Sequence, residues 1–153
     1  MRTLAVALAT VGGVGYSPVA SGTAGSLVAL PLLPPLAALR DAVPGAYVAV
    51  LVALVAAAVW AAGRAEDILG GADHGRIVID EVAGMVVAGA VLPGTWTAAI
   101  AAFVWFRIFD IVKPFPAGRI DAKVEGGLGV VGDDLVAGVY AGVVTRLLLG
   151  VVG

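Results

Sequence analysis

Four long stretches of this chain carry no charged side chain: 3–39, 42–63, 82–106 and 135–145, of 37, 22, 25 and 11 residues. A water-facing surface is hard to build on that pattern, because an average soluble domain places charge on about a quarter of its residues. Here 13% of the residues are charged and 61% are hydrophobic, with 22 glycines besides. The 153 residues suffice for one domain, 1–153, and this composition assigns it to a membrane.

Proline and glycine cut the apolar runs into helices. Five glycines and Pro18 fall within 12–25, which divides the first run into a short helix over about 2–12 and a second over 26–40. Pro93-Gly94 divides the third run into 82–92 and 95–112 in the same way. With 46–63 and 134–150 the reading is six helices. Ala and Leu dominate without period-two alternation, so the class is all-α. Helices of this length reach about 16 to 27 Å, whereas crossing hydrocarbon takes about 30 Å. The expected fold is therefore a compact membrane-embedded bundle of about six short helices, some re-entrant or kinked, with Pro31, Pro34 and Pro35 bending the second.

Alternating helices gather the loops 13–25, 64–81 and 113–133 at one end. Ten of the eleven acids lie in or beside those loops, Asp41 being the exception. For Asp80-Glu81 and Asp110 to share that end, the chain must fold back at Pro93-Gly94. Six of the nine Lys and Arg residues lie there too, which places this face in the cytoplasm by the positive-inside rule. Carboxylates crowded beside a low-dielectric slab need a cation or protons to coexist, and a divalent metal is the economical answer.

Several functions are excluded. With a net charge of -2 and no basic patch, the chain has no electrostatic footprint for nucleic acid. It has no Cys, hence no disulfide, thiolate zinc site or Cys nucleophile. His74 is the single histidine, so a cluster of His ligands cannot form. The start, Met1-Arg2 followed by an apolar run, has the look of a signal peptide, but apolar composition continues throughout and the segment is read as a helix.

Four segments concentrate the chemistry. Gly22-Thr23-Ala24-Gly25-Ser26 is a small-residue loop opening a helix, suited to close backbone approach and phosphate binding, although a Thr or Ser there equally serves as a cap. Asp73-His74-Gly75-Arg76 leads to Asp80-Glu81, an acid pair at the start of an apolar helix; one acid caps, and two suggest a hard-cation site. His74 is placed to protonate a leaving oxygen or to touch phosphate. Arg107 and Asp110 share a helix face, with Lys113 just beyond. Asp133-Asp134 again opens an apolar helix, after a glycine-rich run. Downstream, Gly138 and Gly142 have the spacing of a helix-packing motif and are assigned no chemistry.

These segments together resemble the bacterial phosphatidylglycerophosphatase A family over about residues 11 to 146. The resemblance rests on Ser17-Pro18 with Gly22 to Leu27, on Asp73 to Glu81 with Gly84-Met85, on Phe106 to Asp110 with Lys113-Pro114-Phe115-Pro116, and on Gly126-Gly127 with Asp133-Asp134 and Ala137-Gly138. It departs at Ser21-Gly22, where the family has Pro-Gly, and at Ile79, where an aromatic often stands. The resemblance implies magnesium-dependent hydrolysis of the terminal phosphate monoester of phosphatidylglycerophosphate, giving phosphatidylglycerol and phosphate. It implies a multi-pass protein of the bacterial inner membrane, with a phospholipid substrate and room for a homo-oligomer.

On this reading Asp80, Glu81, Asp110, Asp133 and Asp134 supply oxygen ligands to one or two Mg2+ ions. Arg107, Lys113 and the loop of Thr23, Gly25 and Ser26 hold phosphate oxygens. Asp80, Asp110, Asp134 and His74 are the catalytic candidates, the nucleophile being water activated at the cation or, alternatively, Asp110. Cysteinyl and two-histidine phosphatase routes lack their residues, and the long acidic motif of CDP-alcohol phosphotransferases is absent. The rival from another class is a small membrane transporter or ion-binding protein with a one-sided acidic site, which predicts symmetrical halves and polar residues at mid-membrane depth. Neither feature is visible in the sequence.

Overall fold

The computed structural model describes residues 2–69 and 74–152, and these fold into helices without a strand. In chain order they are α1 (Arg2–Ala9), α2 (Ser21–Ala29), α3 (Leu33–Ala42), α4 (Pro44–Leu69), α5 (Ile79–Gly89), α6 (Trp96–Val112), α7 (Ala117–Lys123) and α8 (Gly126–Val152). The all-α expectation holds. Three stretches are long and apolar enough to cross a membrane: Ser21–Ala42, Pro44–Leu69 and Gly126–Val151. Large apolar side chains point outward along them and along α6, among them Val52, Leu147, Ile100 and Val104. Such a surface suits lipid, where apolar exposure costs nothing.

The prolines bend the chain without ending the helical path. Pro31 lies in a 3-10 turn at Leu30–Leu32, and Pro34 and Pro35 occupy the first turn of α3, where a missing N–H leaves no hydrogen bond unmade. Pro93-Gly94 breaks the chain between α5 and α6 as expected. At that tip Arg40 Nη1 donates to Ala90 O at 2.9 Å and to Leu92 O at 2.8 Å, satisfying carbonyls that the end of α5 leaves unpaired. Thr95 Oγ1 caps α6 by accepting from Ala98 N. The folded-back pair delivers the start of α5 and the end of α6 to one cavity.

Several boundaries differ from the sequence reading, and not every helix is short: α4 runs to Leu69 rather than 63, into the span read as the loop 64–81, and α4 and α8 reach 26 and 27 residues. Helix α2 begins at Ser21 rather than 26, so Gly22 to Ser26 form its first turns and are not a loop. Helix α8 begins at Gly126 rather than 134, so Asp133-Asp134 lie two turns inside it and do not open it. Between them α7 occupies part of the span read as the loop 113–133. The physical reason is common to the two glycine-rich starts: each Gly costs a helix about 1 kcal/mol against Ala, but these glycines admit close neighbours. A Cβ at Gly25 would meet Val78 at 2.9 Å, and one at Gly127 would strike Val59 O. Packing outweighs propensity there.

The same device joins α5 to α8. A Cβ at Gly138 would strike Gly84 O, one at Gly142 would lie 2.6 Å from Ala88 O, and one at Gly84 would strike the Phe106 ring. The spacing of Gly138 and Gly142 therefore does serve packing. It sets the α5 and α8 backbones close enough for short acidic side chains to meet.

Candidate active site

Asp80 and Glu81 stand in the first turn of α5, and Asp134 faces them from α8. Carboxylate oxygens of the three lie within 4.8 Å of one another. Asp110, in the last turn of α6, lines the same cavity, and Arg107 Nη1 donates to its Oδ2 at 2.6 Å. Glu81 Oε2 is buried and has no hydrogen-bond partner. A buried carboxylate oxygen left unpaired costs several kcal/mol by order of magnitude, so its burial asks for a cation. Gly22 makes room for this arrangement, since a Cβ there would strike Glu81 Oε1 and lie 3.2 Å from Arg107 Nη1.

Burial, and after it the charge of Glu81, pushes the Asp80 carboxyl well above the usual carboxylate range. A hard divalent cation relieves that crowding, and oxygen-only donors in this number suit magnesium chemistry. The residues present thus fit a metal. Among the described residues, Asp80, Glu81 and Asp134 are the carboxylates whose oxygens lie close enough together to share one ion.

Lys113 ends α6 in the left-handed conformation, φ 47°, which an L-residue adopts at a cost of about 1 kcal/mol. Its Nζ lies 2.8 Å from Asp121 Oδ1 of α7 and 2.8 Å from Asp133 Oδ2 of α8. Burial pulls the ammonium pKa down, but the two carboxylates outweigh it and hold it above its ordinary value. Successive helical residues point about 100° apart, and this splits the acid pair. Asp134 joins the α5 carboxylates, whereas Asp133 neutralises Lys113.

The cavity has a volume of about 510 Å³. Of the residues singled out in the sequence, Asp80, Glu81, Asp110, Lys113, Asp133 and Asp134 line it. Thr23, Gly25, Ser26 and Arg107 do not. Ser26 is fully buried and its hydroxyl donates to Gly22 O at 2.9 Å, while Gly25 lies against Val78. The side chain of His74, and Asp73, lie outside the described residues. Four polar lining residues went unassigned from sequence: Ser21, Glu66, Asp121 and Glu125. Ser21 donates to Gly75 O at 2.7 Å, tying α2 to the segment before α5. The signal for Asp121 is its place on α7, and a seven-residue helix just after Pro114 and Pro116 leaves little periodicity to read.

An acidic cavity at the end of an apolar helical bundle, with one ammonium and a guanidinium close by, can bind a phosphate together with a cation. No solved structure matches the chain. The profile of the family Phosphatidylglycerophosphatase A matches residues 7–149. Escherichia coli Phosphatidylglycerophosphatase A is 39% identical over 131 residues, covering 84% of this chain and 74% of that protein. Haemophilus influenzae Phosphatidylglycerophosphatase A is 47% identical over 73 residues, covering 47% and 45%. A Bacteroides thetaiotaomicron protein named "Putative phosphatidylinositol-3-phosphatase" is 37% identical over 159 residues, covering 98% and 96%. With a family match spanning most of its length and these relatives beside it, the chain belongs to the phosphatidylglycerophosphatase A family of phosphatase enzymes.

Proposed function

We propose that the chain hydrolyses the terminal phosphate monoester of phosphatidylglycerophosphate, releasing phosphatidylglycerol and inorganic phosphate, in a magnesium-dependent step of phospholipid biosynthesis. The convergence of Asp80, Glu81 and Asp134 within 4.8 Å carries this reading, together with the family match. Magnesium held by those three carboxylates would supply neutralisation of the phosphoryl charge. Lys113 binds a phosphate oxygen from the cavity wall. Arg107 holds Asp110 in place through the 2.6 Å hydrogen bond, and Asp110 takes the proton of the attacking water. The water oxygen bonds to phosphorus as the P–O bond to the glycerol breaks, and the leaving alkoxide takes up a proton from solvent at the open cavity. Direct attack by Asp110 on phosphorus, forming an acyl phosphate, is the alternative route. Thr23, Gly25 and Ser26 shape the α2 backbone around Glu81 in this scheme.

The protein sits in the bacterial inner membrane, crosses it several times and opens its cavity to the cytoplasm on this proposal; ten one-sided acids and the excess of basic residues at that end support it. A second reading has a specific support. The Bacteroides thetaiotaomicron relative covers nearly the whole chain and its name points to a phosphoinositide, so the headgroup could carry inositol in place of glycerol. Purified protein in detergent, given each lipid with magnesium, is expected to release phosphate from phosphatidylglycerophosphate and to stop with EDTA. Release from the phosphoinositide alone selects the second reading, and release from neither removes both.

A further inference from the structure

Helix α7 divides its charges between two sides. Asp121 turns toward the cavity and pairs with Lys113. Arg119 and Lys123 are exposed, and neither forms an ion pair with a carboxylate among the described residues, although this end of the molecule is rich in acids. Arg119 lies instead over the Phe115 ring, with Cζ 4.9 Å from its centroid. Just before the helix, Ile111, Val112 and Phe115 are 72%, 68% and 68% exposed. Three large apolar side chains within five residues, flanked by two cations that pair with no carboxylate among the described residues, form an amphipathic tip at the mouth of the cavity. The main chain of this tip is pinned, because Tyr140 Oη donates to Phe115 O at 2.7 Å.

We infer that this tip docks on the anionic phospholipid surface, with Phe115, Ile111 and Val112 in the acyl boundary and Arg119 and Lys123 on headgroup phosphates. The occupant follows from charge and continuity. An apolar patch bordered by cations complements anionic headgroups over hydrocarbon, and the patch continues the apolar outer face of α6. Each cation near such a surface contributes about 1 kcal/mol, or roughly five-fold in affinity. Docking holds the cavity mouth at headgroup level, so a lipid phosphate reaches the carboxylates without leaving the bilayer. The consequence for turnover rests on the lipid-phosphatase reading, while the docking itself does not.

The chain has no cysteine, so Phe115→Cys supplies a unique thiol for an environment-sensitive fluorophore. The full chain is reconstituted in vesicles of phosphatidylcholine alone or mixed with phosphatidylserine. The label is expected to shift to shorter wavelength and to gain protection from an aqueous quencher in the mixed vesicles, and Arg119→Gln with Lys123→Gln should abolish that gain. In the unlabelled chain the same double substitution should raise the apparent KM for phosphatidylglycerophosphate in mixed vesicles, by up to about five-fold per cation, with kcat unchanged. Equal access of quencher in both compositions overturns the inference, as does an unchanged KM. Protection that follows protein density rather than lipid composition assigns the face to a second copy of the chain and also overturns it. Should the unmodified enzyme release no phosphate from the lipid, the functional reading fails and the label alone decides the docking.

Discussion

The inner and outer halves of the cavity hold similar side chains in opposite electrostatic states. Inside, Asp80, Glu81 and Asp134 crowd together and one oxygen of Glu81 is buried without a partner. Outside, Asp121 and Asp133 share one ammonium, each at 2.8 Å. The inner group keeps an unpaired buried oxygen, where the proposed cation would sit, whereas the outer group is paired with an ammonium. Neighbouring carboxylates in sequence therefore need not serve the same end, and Asp133 and Asp134 are the sharpest case.

The largest expected effect separates those two residues. Asp134→Asn should lower kcat by about 10³-fold or more, as loss of a group that stabilises transition-state charge does. Asp133→Asn should cost no more than about ten-fold, the lower end for a residue that only orients its neighbours. Asp133 is buried, so folding of both variants is checked by thermal denaturation before steady-state rates are compared. Equal losses would mean that both acids touch the cation, and the division would fail.

Cation binding can be read without turnover. Magnesium at about a hundred times its dissociation constant should stabilise the folded chain by about 2.7 kcal/mol, seen as a rise in Tm that EDTA reverses. Asp80→Asn or Asp134→Asn should remove that rise, and Asp133→Asn should keep it. A magnesium-dependent rise that survives Asp80→Asn would move the cation out of the inner group.

Much of this arrangement was legible in the sequence, and the failures have physical causes. The fold-back at Pro93-Gly94 could be argued from charge, because a single span would have separated Asp80 and Asp110. The acids of the cavity were legible because acids beside long apolar runs demand a reason. Helix starts at Ser21 and Gly126 were misread because the tertiary neighbours of the glycines just after them are invisible in sequence: only the folded chain shows that a Cβ at Gly22 would strike Glu81 and one at Gly127 would strike Val59 O. The bridge through Asp121 was missed since it depends on the left-handed turn at Lys113, and a lysine carries no sequence signal for that conformation.

Gly22 then offers a test of the inner group from behind. Gly22→Val should displace Glu81 and lower activity by about ten- to hundred-fold, the usual range for a residue that supports a metal ligand. Gly12, where a Cβ would meet nothing within 4 Å, provides the contrast: Gly12→Asn tolerates its positive φ and should leave the rate unchanged. An active Gly22→Val enzyme would show that Glu81 has slack and that the cation rests on Asp80 and Asp134.

The smallest expected effect belongs to the outer bridge. Asp121 is 52% exposed, and an exposed ion pair contributes about 0 to 1 kcal/mol, so Asp121→Asn should leave Tm almost unchanged. Lys113 keeps Asp133 as its buried partner, and its ammonium stays in the cavity. Freed from one of its two carboxylates, it is more available to a phosphate oxygen, so the apparent KM for the lipid should fall slightly or stay constant while kcat holds. A large loss of kcat in Asp121→Asn would place Asp121 among the residues that touch the reacting phosphate. The outer half would then be part of the chemistry instead of a support for Lys113.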